Sequence, residues 1–510
     1  MKNFKILDCT LRDGGYYTNW DFKPQLVDNY LKAVEGLPID YIEIGYRNLK
    51  QNVYKGEFFY TPLETLKKVK SLTSKLVVLI IDEKNLSEDD IKEVIEPCRE
   101  YIEMIRIAID PERFDLGIKK ASVVRKLGYK VAFNVMYLSK WIDDNSFHKK
   151  LNGIEQHIDY LYLVDSYGSV YPKDINRLLK KIKLITPVKL GFHGHNNMEL
   201  ALANSIEAVS SGVEIIDATI LGMGRGAGNL KTELLLTQIS KTQEIDFNLI
   251  SNIVSEFHLL KKKYSWGTNL PYMISGFHSI PQKKVMDWLG KKFISFNSII
   301  QALESSISNK EEIGLPMIKF EKGYDKVLIV GGGNTVDENI DAIKNFLLKN
   351  KNSLIVFSSS RHIKHFLDIP NDKMISFIGN EMDRFKISIK NNPNLKIIFP
   401  PSPREFGTYL PKGWESQSFE LEKNHKLKVP EYTHCSLSMQ IGLKTKLKTF
   451  YVVGFDGYKE NSRNKNFREV FYENEEIFKN FLNEGIELIS LTPSLYKSFI
   501  PDSIYSINNK

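Results

Sequence analysis

The segment Gly191-Phe192-His193-Gly194-His195-Asn196 places two histidines at i and i+2 at the end of an apolar run. On an extended backbone alternate side chains share a face, so both imidazoles can address one ion. Such a pair taken alone is equally the mark of a solvent-facing loop. Oxygen donors are available to complete it: Asp13 lies just past the first strand-like run, and Asn229 closes a glycine-rich stretch. A carboxylate, two imidazoles and a carboxamide suit Mn2+ or Mg2+, and Zn2+ less well, with positions left for water or substrate. Arg12 beside Asp13 adds a cation, and Glu43 is an acid inside an apolar run. Their plain alternative is a structural ion pair.

Positioning these residues requires a scaffold, and the first half of the chain supplies a regular one. Strand-like runs fall at Lys5–Leu11, Asp40–Tyr46, Lys75–Ile81, Tyr101–Ile109, Lys130–Leu138, Tyr160–Asp165, Val188–His193 and Glu214–Ile220. Helical patterns separate them, among them Gln25–Glu35, Glu64–Ser71, Glu88–Arg99, Gly117–Leu127, Asp174–Ile185 and Glu199–Ser211. Strand and helix alternating at about 25–35 residues predicts a (β/α)8 TIM barrel. The polar residues gather at the carboxyl ends of the strands (Arg12-Asp13, Glu43, Asn134, Asp165, His193 and His195), where such barrels build catalysis. In a closed eight-stranded barrel the seventh, eighth and first strands are neighbours, so Asn229 and Asp13 can converge on the histidine pair.

Four motifs carry a resemblance. They are Leu7-Asp8-Cys9-Thr10-Leu11-Arg12-Asp13-Gly14-Gly15, Glu43, the His-x-His, and Gly222-Met223-Gly224-Arg225-Gly226-Ala227-Gly228-Asn229. Together they resemble the DRE-TIM metallolyase superfamily, and within it proteins of the 4-hydroxy-2-oxovalerate aldolase type, over about residues 1–290. The resemblance implies Asp13, His193 and His195 as ligands of one Mn2+ or Mg2+, with Asn229 as a further one. It implies Arg12 as the holder of a pyruvate-type enolate oxygen and Glu43 as the group that positions Arg12 or another group next to the metal. Asn134, Asp165 and Ser166 would line the substrate, although Ser166 could equally cap a helix. The loop glycines, Gly224 and Gly226 among them, suit backbone amides brought close to an anionic group, or simply a tight turn.

Two departures bear on the reaction. The aldolases carry a basic histidine three residues after the metal-binding aspartate, and this chain has Tyr16 there. A phenol of pKa near ~10 is a poor base at neutral pH, so Tyr16 is expected to donate a proton, unless another group carries it or the reaction differs. The thioester-cleaving lyases carry a cysteine in the loop after the eighth strand, and Gly222-Met223-Gly224 has none. The leading expectation is a metal-dependent aldolase that takes a small 2-oxo acid and an aldehyde, in either direction, for instance in making a sugar acid for a surface glycan. An acyl-CoA-dependent synthase of the same superfamily is the alternative within the fold. A binding or scaffold protein with a retained metal site is the alternative outside it.

The domain boundaries expected are a barrel over residues 1–240, a helical extension over 241–324 and a smaller open α/β, Rossmann-like domain over 325–510. The last rests on strand-like Lys326–Val330, Ser353–Phe357, Lys373–Ile378, Leu395–Phe399 and Lys448–Gly454, with helical Val336–Lys349, Ile363–Leu367 and Asn474–Asn483 between them. Gly331-Gly332-Gly333-Asn334 after its first strand could seat a nucleotide or nucleotide-sugar phosphate at a helix N-terminus, or be a plain turn. Val452-Val453-Gly454-Phe455-Asp456-Gly457-Tyr458 ends another strand with an acid and resembles Rossmann-type glycan enzymes. His434-Cys435 is either a reactive pair or two chance neighbours.

Composition excludes more than it selects. A net charge of +8, from 70 basic against 62 acidic residues, is mild for 510 residues and argues against a nucleic-acid partner. Three cysteines without CxxC spacing, an N-terminus that enters a strand at once and the lack of a long apolar run predict a cytoplasmic protein with no membrane span. A homo-oligomer is the expected assembly.

Overall fold

A computed structural model describes residues 4–290, 296–307, 314–320, 323–379, 392, 394–402, 404, 408, 410, 413–423, 429, 433–458 and 465–508. Two compact units divide the chain, residues 1–287 and 288–510.

In the first unit eight parallel strands close a TIM barrel: β1 (Lys5–Asp8), β2 (Tyr41–Tyr46), β3 (Leu76–Asp82), β4 (Met104–Ile109), β5 (Lys130–Val135), β6 (Tyr160–Asp165), β7 (Lys189–Gly194) and β8 (Ile215–Ala218). The pleat sorts each strand into two sets. Leu7, Tyr41, Val78, Met104, Ala132, Tyr160, Tyr162, Val164 and Ile215 fill the barrel interior. The alternate residues, such as Ile6, Ile42, Val77, Ile105, Phe133, Leu161 and Leu163, pack outward against the helices. Gly191 belongs to the interior set, and any Cβ there would lie 2.5 Å from the Tyr162 ring. The helices start on local signals: Pro24 opens Pro24–Glu35, and Ser87 with Asp90 forms a reciprocal cap on Glu88–Ile95. Among the described residues no helix is long and apolar enough to cross a membrane.

The structure corrects the length of the first strand. β1 ends at Asp8, and Thr10–Thr18 is helical. Asp8 Oδ1 accepts from the Thr10 amide (2.9 Å) and hydroxyl (2.6 Å), and the side-chain turn takes the backbone out of the ladder. Tyr30 and Thr232 also donate to Asp8, each at 2.6 Å, which locks the turn to the surrounding helices. β5 and β8 likewise stop before Leu138 and Ile220, which begin short helical turns.

The second unit holds an eight-stranded, all-parallel sheet: β9 (Lys326–Val330), β10 (Ser353–Phe357), β11 (Lys373–Ser376), β12 (Leu395–Phe399), β13 (Ser418–Glu420), β14 (Thr449–Val453), β15 (Glu487–Ser490) and β16 (Ile500–Pro501). Their order is β13-β12-β11-β10-β9-β14-β15-β16, so the winding reverses between β9 and β14. Three of these strands, β13, β15 and β16, have two to four residues and too little pattern to stand out in the sequence.

Candidate active site

Ending β1 at Asp8 puts Arg12 and Asp13 on the first turns of a helix across the barrel mouth, where an acid is favoured by the helix dipole. Both are buried. The Arg12 guanidinium is pinned on two sides: Nε donates to Glu43 Oε2 at 2.6 Å, and Nη1 donates to Asp13 Oδ1. The other oxygen of Asp13 accepts from Asn229 Nδ2 at 2.6 Å and lies 3.5 Å from His193 Nε2. Burial works against the charge on Asp13, but the Arg12 guanidinium and the hydrogen bond from the Asn229 amide oppose it, and its pKa lies below the ordinary carboxylate value.

His193 and His195 present their Nε2 atoms to each other at 3.4 Å. Each ring is oriented through its other nitrogen. His193 Nδ1 meets Asp217 Oδ2 at 2.8 Å, and His195 Nδ1 meets the Ser166 carbonyl at 2.9 Å. Both partners accept only, so a ring that is neutral carries its hydrogen on Nδ1 and turns a bare lone pair inward. Burial, then His193, pushes the pKa of His195 down to about 3, which keeps that ring neutral. Two facing lone pairs beside a carboxylate repel one another until a cation joins them. Ligand atoms about 2.1 Å from one ion stand about 3.0–3.5 Å apart at octahedral to tetrahedral angles, which matches this pair. Asn229 adds a buried Oδ1 with no hydrogen-bond partner. These residues fit a divalent ion. Cys9 also reaches the cluster, since its sulfur, an Asp13 oxygen and a His193 nitrogen lie within 4.8 Å of one another. Burial pushes its thiol pKa well up, however, and the thiol is directed at the Ala218 carbonyl and Asp13, so Cys9 fits a spectator better than a ligand.

Beneath this cluster lies an ionic layer that takes in Glu43 and Asn134, expected respectively to position Arg12 and to line the substrate, together with Arg106 and Asp217. Arg106 is fully buried on β4 and stacks 4.1 Å from the Tyr162 ring centroid. Its Nη2 reaches Asp217 at 2.6 Å, Nη1 lies 3.4 Å from Glu43, and Nε donates to Asn134 Oδ1 at 2.8 Å. Asn134 therefore holds Arg106. Asp217 links Arg106 to His193, and these two contacts hold its pKa down against burial. Arg106 and Asp217 have a visible signature, a charge within Met104–Ile109 and another within Ile215–Ala218, at inward positions of runs that are otherwise apolar.

At the mouth, Tyr16 shares a 3.0 Å hydroxyl contact with Tyr46, and Arg225 stacks 4.2 Å from the Tyr16 ring centroid. Burial and the neighbouring Tyr16 raise the Tyr46 pKa well above its usual value. Tyr46 therefore stays protonated and is placed as a proton donor rather than a base.

The remaining expected residues sit differently. Asp165 points outward from β6 and accepts from the Ser169 and Val170 amides at 3.1 and 3.4 Å, so it braces the following loop rather than lining the barrel. Burial raises its pKa to about 7. The Ser166 hydroxyl accepts from the Tyr137 amide at 2.8 Å, leaving its carbonyl to orient His195. A Cβ on Gly224 would lie 2.6 Å from Asn229 Nδ2, so glycine is required for the loop to press against that carboxamide. Gly226 has φ +64 and accepts from the Tyr17 hydroxyl at 3.0 Å.

In the second unit the glycine turn fits the plain-turn alternative better than a phosphate seat. Asp456 lies against Gly333 and accepts from the Thr335 amide (3.2 Å) and hydroxyl, so a carboxylate already occupies the helix start. A phosphate there would meet like charge. Nearby, His362 Nδ1 and His365 Nε2 lie 3.1 and 3.2 Å from Asp337 Oδ1. Cys435 is buried and its thiol pKa is raised by that burial, against a reactive pairing with His434.

Barrel, strand ends and the convergence of Asp13, His193, His195 and Asn229 define the first unit as a (β/α)8 barrel of the DRE-TIM type. The chain belongs to the HMGL-like family, which it matches over residues 3–256. It is 51% identical to the crystallised N-terminal domain of a candidate aldolase from Bacteroides vulgatus, covering 58% of this chain and 99% of that one with a TM-score of 0.56. It is 26% identical to an oxaloacetate decarboxylase of Mycobacterium tuberculosis, over 55% of this chain and 84% of that protein. It is 28% identical to a 4-hydroxy-2-oxovalerate aldolase of Carboxydothermus hydrogenoformans, over 47% and 71%.

Proposed function

We propose that the barrel is a divalent-metal-dependent lyase that makes or breaks a carbon–carbon bond through the enolate of a pyruvate-type 2-oxo acid. The observation that carries this reading is the Arg12 guanidinium, held by Glu43 and Asp13 beside two inward-facing imidazole nitrogens. A Mn2+ or Mg2+ ion held by Asp13, His193 and His195, with Asn229 in reach, would supply a Lewis acid for the carboxylate and keto oxygens. Arg12 uses Nε and Nη1 on its two carboxylates, and among the described residues Nη2 has no partner. Its N–H groups are thus fixed in advance for the oxygen on which enolate charge develops, and no reorganisation is needed when it does. In aldol cleavage the hydroxyl proton of a 4-hydroxy-2-oxo acid is removed and the C3–C4 bond breaks. The electron pair passes into the enolate, the aldehyde departs, and C3 then takes a proton.

A second reading has its own support. The Tyr16 hydroxyl meets the Tyr46 hydroxyl and its ring packs against Trp20 and under Arg225, so these neighbours include no carboxylate or imidazole to serve as a base. Decarboxylation of a 3-carboxylated 2-oxo acid needs no base: carbon dioxide leaves, the bond pair forms the same enolate, and a donor delivers the proton to C3. One relative bears the name of that activity.

The test shared by both readings is exchange of the pyruvate methyl protons in D2O by the Mn2+- or Mg2+-loaded protein, followed by NMR. Exchange that disappears with Arg12→Ala supports the enolate. Absence of exchange at any metal load would remove it. Formation of an aldehyde from 4-hydroxy-2-oxopentanoate, against release of carbon dioxide from oxaloacetate, separates the two readings.

A further inference from the structure

The cations around the site are not treated alike. Arg12 contacts Asp13 and Glu43, and Arg106 contacts Glu43 and Asp217. Arg225 is part-buried at the same mouth, and among the described residues no carboxylate lies within ion-pair distance of it. Its recorded neighbour is the face of Tyr16, at 4.2 Å. An aromatic face offers a guanidinium about 0.5–2 kcal/mol, and although the Tyr16 hydroxyl also lies in hydrogen-bonding reach, the planar edge of N–H donors has no carboxylate paired with it among the described residues.

Position makes that edge useful. Arg225 follows Gly224, whose backbone is pressed against the Asn229 carboxamide, and Asn229 in turn bonds Asp13. The Tyr16 ring beneath it carries the hydroxyl that meets Tyr46. Arg225 therefore stands on the β8 side of the opening, beside the metal-ligand cluster and apart from Arg12, which is pinned on the helix from β1. Tyr16, Tyr46 and, more weakly, Asp13 act on Arg225 through space, and Asp13 is already paired with Arg12 and bonded by Asn229. A 2-oxo acid held by its carboxylate and keto oxygen at the ligand cluster would extend its far end into this space. With a bidentate donor edge and no anion of the protein to satisfy it, that end is best matched by a second carboxylate.

We propose that Arg225 is a specificity-determining residue and that the substrate is a 2-oxo acid bearing a second anionic group, held by the Arg225 guanidinium over Tyr16. The proposal rests on the enolate-forming reading given above. It selects within that reading, because a neutral aldehyde end would leave the cation without a partner.

The test is isothermal titration of the full, Mn2+-loaded chain with three ligands: pyruvate, 2-oxoglutarate and 2-oxohexanoate. The last two have similar length and differ in the terminal group, a carboxylate against an ethyl group. The expected result is binding of 2-oxoglutarate at least tenfold tighter than 2-oxohexanoate. In Arg225→Gln that ratio should fall to within about threefold of one. Arg225→Lys, which keeps the charge without the planar donor edge, should retain part of the preference and guards against a variant that fails to fold. Equal binding of the two long acids by the wild type, or an unchanged ratio in a folded Arg225→Gln, overturns the proposal while pyruvate binding and methyl exchange leave the functional reading standing. If pyruvate neither binds nor exchanges, the functional reading falls and this proposal falls with it.

Discussion

Asp217→Asn isolates the charge that links the ionic layer to the histidine pair. Both contacts of Asp217, with Arg106 Nη2 at 2.6 Å and His193 Nδ1 at 2.8 Å, converge on Oδ2, while Oδ1 has no partner. An asparagine with its carbonyl oxygen at the Oδ2 position keeps both acceptors and the shape, so the substitution removes the anion without opening a cavity. Two effects follow. The first is on stability: Arg106 is left with Glu43 at 3.4 Å as its remaining anionic neighbour. Breaking a buried pair outright costs about 3–5 kcal/mol, and the retained hydrogen bond reduces this to roughly 2–3 kcal/mol. The second is on the metal: a carboxylate behind a ligating imidazole raises its basicity and fixes its tautomer, and losing it weakens metal binding by about 10–100-fold, or about 1.4–2.7 kcal/mol. Urea unfolding without added metal reads the first, and Mn2+ titration by calorimetry at constant pH reads the second. Loss of stability with Mn2+ affinity unchanged within twofold would show that Asp217 serves the barrel core alone, and would break the argument that the Nδ1 contacts prepare the pair for an ion.

Arg12→Lys should keep the metal content but lower turnover by about 100-fold or more, because a point charge cannot satisfy Glu43, Asp13 and a developing oxyanion together; near-normal kcat would take Arg12 out of the chemistry. Tyr16→Phe removes the hydroxyl that meets Tyr46. It should slow carbon–carbon bond chemistry while pyruvate methyl exchange persists; parallel loss of both would make Tyr16 the proton carrier for each, and no change in either would make it a packing residue. Asp165, raised to about 7 by burial, gives a pH test with a defined sign. Between the ordinary carboxylate value and about 7 the folded state holds this proton and the unfolded state does not, so stability is lost as pH rises, by about 1.4 kcal/mol per unit. Asp165→Asn, which mimics the protonated form, should gain on the wild type from pH 5 to pH 8 in urea midpoints. A constant difference over that range would show that the carboxyl is not held protonated.

The barrel was legible because its two periodicities are clean: apolar runs of strand length, then amphipathic stretches of helix length, repeated until the sheet closes. The ends of elements were less so. Lys5–Leu11 reads as one strand by hydropathy, but a side-chain turn at Asp8 ends it, and that turn carries Arg12 and Asp13 into the site on a helix. Hydrogen bonds from Tyr30 and Thr232 fix the turn, and both come from distant parts of the chain that no local pattern reveals.

Within strands the period of two held more information than residue type at the carboxyl end. It places His193 and His195 on one face, and the same alternation separates Asp165 from Tyr160, Tyr162 and Val164, which fill the interior. Asp165 therefore had to point outward, although its place beside the other strand-end acids suggested a ligand-facing role. Applied to β4 and β8 the rule runs the other way: Arg106 and Asp217 face inward with Met104 and Ile215, where an unpaired charge would cost several kcal/mol. Each thus requires an opposite charge from another strand of the same barrel. Glu43 on β2 is the inward acid that remains, and the chain Arg12–Glu43–Arg106–Asp217–His193 closes around it. Arg225 is the cation this reasoning leaves over: it lies in a loop rather than a strand, so the pleat pairs it with no carboxylate, and the anion proposed for it is the substrate's.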